Sequence, residues 1–109
     1  YERKGWLGPD LLICHYIPAS DSDAAAMART RTPHSFSTLS EMRLSRTGDP
    51  RDCLLRMRKA GVLISLSFDA TSIAPLNMFE TMRVTWNLGM PWKGTPTEAV
   101  DLARSLHEA

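Results

Sequence analysis

The chain has 109 residues, 43% of them apolar and 23% charged, with a formal net charge of +1. That length supports one domain with a modest core, and the near-neutral balance gives no electrostatic case for a nucleic-acid or membrane partner. No apolar run reaches the roughly 20 residues of a membrane span, and nothing reads as a signal peptide, so a cytoplasmic location is expected.

In chain order, Tyr1 to Pro9 reads as a connecting loop punctuated by Gly5, Gly8 and Pro9. It opens without Met, as a segment of a longer protein would. Asp10 to Ile17 is predicted as the first strand, with Leu11, Leu12, Ile13 and Cys14 apolar on both faces, the mark of a buried parallel strand. Ser20, Asp21 and Asp23 suit a helix N-terminus, and an Ala-rich helix is expected over Asp21 to Arg29. Thr32 to Ser37 is a weaker strand holding His34 and Phe36, and Ser37 to Gly48 reads as a polar loop containing Glu41 and Arg43. Asp49-Pro50 then starts a helix that buries Cys53, Leu54 and Met57 and stops at Gly61. Cys14 and Cys53 lie in apolar surroundings with no Cys-x-x-Cys spacing, so two buried free thiols are expected.

Gly61 to Thr71 is the stretch the sequence points to as the organising strand. Val62, Ile64, Leu66 and Phe68 form one side, with Leu63 adding apolar bulk to the other. Asp69 follows directly. Asn77 can cap a helix from Met78 to Leu88 that packs Phe79, Met82 and Trp86, and Thr95-Pro-Thr-Glu98 is a capping box for a last helix. Strands alternating with helices predict a parallel α/β sheet. Three strands are too few to close a barrel and leave open edges.

Chemistry in such a sheet gathers at the carboxyl ends of the strands. His15 ends the first strand, His34 lies within the second and Asp69 ends the third. Histidine and aspartate on neighbouring strand ends can form part of a site for a divalent metal or an activated water. The competing readings are an Asp69 that caps a turn through its own backbone and histidines bonded within the core.

Five blocks in order carry a resemblance: His15-Tyr-Ile-Pro-Ala-Ser-Asp, Pro33-His34-Ser, Ser40-Glu-Met-Arg-Leu, Ala60 to Asp69, and Asn77-Met-Phe-Glu-Thr-Met-Arg83. Together they resemble the metal-dependent amidohydrolase superfamily, in its cytosine deaminase and chlorohydrolase-like branch. The resemblance implies a (β/α)8 TIM barrel of which this chain, as a single partial domain over 1–109, supplies strands six to eight. It implies hydrolysis of a C–N or C–Cl bond of a nitrogen heterocycle, with a divalent metal, zinc above all, as cofactor. On it, Asp69 is a metal ligand and accepts the proton of the attacking water. His15 bonds the reacting group, and His34, Glu41 and Arg43 line the substrate pocket. The family's His-x-His pair, its further metal-binding histidine and the nearby glutamate have no counterpart here, so the chain by itself is expected to be inert. A reading of another class is a free-standing, non-catalytic βα module that self-associates through its exposed sheet edges or binds a partner. A basic surface of Arg43, Arg46, Arg51, Arg56, Arg58 and Lys59 lacks the interleaved aromatics of a nucleic-acid site.

Overall fold

The computed structural model describes residues 2–44, 46–89 and 104. The helix expected after Thr95 lies outside the described residues. The elements run β1 (Ile13–Cys14), α1 (Asp21–Thr30), β2 (His34–Phe36), α2 (Thr38–Leu44), α3 (Pro50–Ala60), β3 (Ile64–Leu66) and α4 (Met78–Gly89). The strands make one parallel sheet in the order β1-β2-β3. Ile13 pairs with His34 and Cys14 with Ser35; His34, Ser35 and Phe36 pair in turn with Ile64, Ser65 and Leu66. The fold is thus mixed α/β, with every strand parallel to its neighbour.

Local chemistry sets the helix ends. Ser20 and Asp23 form a reciprocal capping box at the start of α1, the Asp23 N–H donating to Ser20 Oγ and the Ser20 N–H to Asp23 Oδ2. Asp49 caps α3 by accepting the Arg51 N–H at 2.8 Å, with Pro50 at the first helical position. Gly61 ends α3 at φ 84°, a backbone conformation that costs glycine nothing. Asn77 Oδ1 accepts the Glu80 N–H at the start of α4.

Side chains alternate across a strand, so β2 divides the molecule. Phe36 belongs to a core cluster with Met27 of α1, Cys53, Leu54 and Met57 of α3, and Val62, against which Ile13, Ile64 and Leu66 pack. Ser35 lies on the opposite face, where Ser35 Oγ donates to Ser67 Oγ at 3.1 Å and the Ser37 and Ser67 hydroxyls meet at 2.5 Å. Arg56 joins α3 to α1, its Nε donating to Asp21 Oδ1 and its Nη1 to the Ala19 carbonyl. Arg51 Nε donates to the Leu88 carbonyl and ties α3 to the end of α4.

Several expectations are corrected. β2, the weakest strand by composition, is the central one and is buried along its length, while β3 is an edge strand of intermediate burial with Leu63 61% exposed. Apolar content reports what a strand could bury, whereas its place in the sheet decides what it does bury. The first strand shrinks to two paired residues, with Leu11 and Leu12 exposed. The polar stretch after Ser37 is not a loop but contains α2, whose buried residues are Thr38, Ser40 and Glu41. A helix with a polar buried face leaves no apolar periodicity to find. The buried positions of α4 are Thr81, Thr85 and Gly89, not the apolar residues expected, and Phe79 is 83% exposed. Of the two free thiols Cys53 is buried but Cys14 is exposed.

Candidate functional site

The chain turns abruptly where β1 ends. His15 has φ 57°, and Asp69, beyond β3, has φ 62°. These left-handed conformations cost a side-chain-bearing residue of order 1 kcal/mol, and such residues cluster at functional sites. Both therefore stand at sharp turns following the carboxyl ends of parallel strands.

Below the first turn, His34 supports it. Its Nε2 accepts the Tyr16 N–H at 3.2 Å, bonding the residue directly after His15. An imidazole that accepts through Nε2 carries its proton on Nδ1 when neutral. His34 has no exposed surface, and its ring lies 6.0 Å from that of Phe36. Burial, aided by the nearby His15, pushes its pKa down to about 4, so the ring is neutral near pH 7. Its Nδ1 finds no partner among the described residues.

Above that turn, α2 delivers Glu41. Its carboxylate oxygen lies 2.6 Å from His15 Nδ1. The Glu41 side chain is only 6% exposed and that of His15 48%. A nearly buried carboxylate thus faces a half-exposed imidazole. Two bonds fix the direction of α2: the Glu41 N–H donates to the Ser37 carbonyl, and Ser40 Oγ donates to the Phe68 carbonyl just before Asp69. The helix that carries Glu41 therefore touches the backbone at the end of the third strand.

The residues expected to share a site are distributed as follows. His15 and Glu41 are in direct contact. Asp69 is exposed, with no hydrogen bond or ion pair to it among the described residues. His34 lies inside the core beneath His15. Arg43 is exposed and donates to the Ile73 carbonyl, bracing the loop after Asp69. The pairing of Glu41 with His15 was not foreseen; the sequence separates them by 26 positions and no motif joins them. Clefts among the described residues lie elsewhere: one is lined by Glu2, Tyr16, Asp23 and Arg29, one by Asp21, Ala24, Arg56 and Lys59, and one by Pro9, Met27, Arg31 and Leu63 toward the amino ends of the strands.

The described residues do not fit a metal centre of their own. No three His, Cys, Asp or Glu side chains among them converge on one point, and a catalytic zinc takes three protein ligands. What the arrangement offers is proton chemistry: an imidazole in contact with a carboxylate after one outer strand, β1, and a second carboxylate after the other, β3. Comparison with family models, with curated proteins and with solved structures gives no match.

Proposed function

We propose that this chain forms the carboxyl-rim part of a hydrolase of the amidohydrolase type, acting on a C–N or C–Cl bond of a nitrogen heterocycle. The observation that carries the reading is the paired left-handed turns at His15 and Asp69, one after each outer strand of a parallel sheet, with Glu41 on His15. In a deamination, Asp69 takes a proton from water as the water oxygen bonds the ring carbon. His15 hydrogen-bonds the reacting group and stabilises the charge that develops there. The C–N bond then breaks, the proton returns to the departing nitrogen, and ammonia leaves. A divalent metal in this chemistry would take Asp69 and further ligands from beyond the described residues, and a closed barrel would take further strands.

The test is to read the coding sequence upstream of Tyr1 and assay the complete product for ammonia or chloride release from amino- and chloro-substituted nitrogen heterocycles. The reading expects a His-x-His pair and a further His upstream. It also expects Asp69→Asn and His15→Gln each to lower kcat/KM by at least ~100-fold. Absence of those upstream residues, or deamination by the 109-residue chain alone, would overturn it.

A second reading has its own observation. Trp6, Leu11 and Leu12 are exposed on the chain leading into β1, and Leu63 is exposed just before β3, so both sheet edges, which no further strand among the described residues pairs, adjoin apolar surface. On this reading the chain is a non-catalytic βα module that self-associates through those edges.

A further inference from the structure

The resemblance to a hydrolase makes Glu41 a residue of the substrate pocket, yet its carboxylate is almost wholly buried and is spent on His15. A group in that position does not meet substrate. We infer that Glu41 is a positioning residue for His15, accepting the Nδ1–H and leaving Nε2 as the only ring nitrogen free for acid–base work.

Between a carboxylate and an imidazole the imidazole is ordinarily the stronger base, so the shared proton resides on nitrogen. At 2.6 Å the contact is a short, charge-assisted hydrogen bond. Glu41 can bond only a protonated Nδ1, which makes Nδ1–H the neutral tautomer of His15. Free neutral histidine prefers the other tautomer, so the protein holds His15 in its less common form. Among the described residues no protein group bonds His15 Nε2, and the side chain is 48% exposed. Nε2 therefore carries a lone pair open to a water or a substrate atom.

Three bonds keep the pair in register. The Ser37 carbonyl accepts the Glu41 N–H, Ser40 holds α2 to the Phe68 carbonyl, and His34 Nε2 accepts the Tyr16 N–H. The carboxylate is held from the backbone just beyond β2 and β3, while the imidazole is held through its own backbone and His34. Neither side chain needs substrate to find the other. The catalytic use of this arrangement rests on the hydrolase reading, whereas the arrangement itself can be measured without substrate.

The experiment is long-range proton–nitrogen NMR on the ¹⁵N-labelled chain at a pH where imidazoles are neutral, comparing the native protein with Glu41→Leu. The native His15 is expected almost entirely as the Nδ1–H form. In Glu41→Leu that form is expected to fall to a minority. His34 is the internal control: its Nε2 accepts the Tyr16 N–H, so it stays Nδ1-protonated in both proteins and reports that the fold is intact. A native His15 that is mainly Nε2-protonated overturns the inference, as does a folded Glu41→Leu that keeps the Nδ1–H form. If Glu41→Leu does not fold, the native tautomer decides alone. The tautomer can hold while every heterocycle assay fails, so this result and the hydrolase reading stand or fall separately.

Discussion

His34 and His15 are the same residue type in opposite circumstances, and they separate stability from chemistry. His34 is buried, neutral and bonded through Nε2. Its pKa is near 4 when folded, against about 6.5 in an unfolded chain, so the unfolded state binds the extra proton between those values. The stability it contributes is complete above about pH 6.5 and is lost as pH falls toward 4. By pH 5 this costs about 2 kcal/mol relative to pH 8. Urea unfolding at the two pH values should show that loss, and His34→Gln, which can still accept the Tyr16 N–H, should remove most of it. An unchanged pH slope in the variant would place the acid sensitivity elsewhere. The sequence places His15 and Asp69 at the ends of the first and third strands and His34 within the second, where the structure has it as the first residue of β2. It could not show that one histidine faces inward, because that depends on which residue of β2 meets Ile13. Nor could it show Glu41, whose approach depends on a helix with no apolar stripe.

At the scale of elements, α4 is the least orthodox. Its buried face holds two threonines that differ in one respect. Thr85 Oγ1 donates to the Thr81 carbonyl at 2.7 Å and meets the Thr38 hydroxyl of α2, whereas Thr81 Oγ1 is buried without a partner among the described residues. Replacing a buried hydroxyl by a methyl should therefore have opposite signs at the two sites. Thr85→Val strands the Thr38 hydroxyl and should cost about 1–2 kcal/mol. Thr81→Val removes an unpaired polar atom and should be neutral or stabilise by up to about 1 kcal/mol. Chemical denaturation of both variants checks this, and equal losses would mean that the hydroxyls only fill space. The end of α1 offers a simpler test. Arg31 occupies the left-handed capping position at φ 58° that Gly61 occupies after α3. Arg31→Gly should raise stability by about 0.5–1 kcal/mol, read as a higher unfolding midpoint. The helices with standard caps, α1, α3 and α4, were legible in the sequence within a residue or two. α2 was not, and the strands were ranked in the wrong order of burial. Caps are local chemistry, whereas burial of a strand depends on its neighbours.

For the whole molecule, the surface to test is the two edges, β1 and β3, that no further strand among the described residues pairs. If the exposed side chains beside them drive association, sedimentation of the 109-residue chain should show a concentration-dependent complex. Leu12→Lys combined with Leu63→Lys should then return it to monomer without lowering the unfolding midpoint. A native chain that stays monomeric, with β3 amides protected from exchange, would remove the self-association reading. The strand order has a consequence for how such a chain is made. Because β1, β2 and β3 lie side by side in the order they are synthesised, each strand pairs with one that has already left the ribosome. The sheet can therefore grow one strand at a time during translation, with one helical crossover connection to close at each step. A pause once Ala60 has emerged from the ribosome would leave β1, α1, β2, α2 and α3 together on a nascent chain, with one edge of β2 waiting for β3.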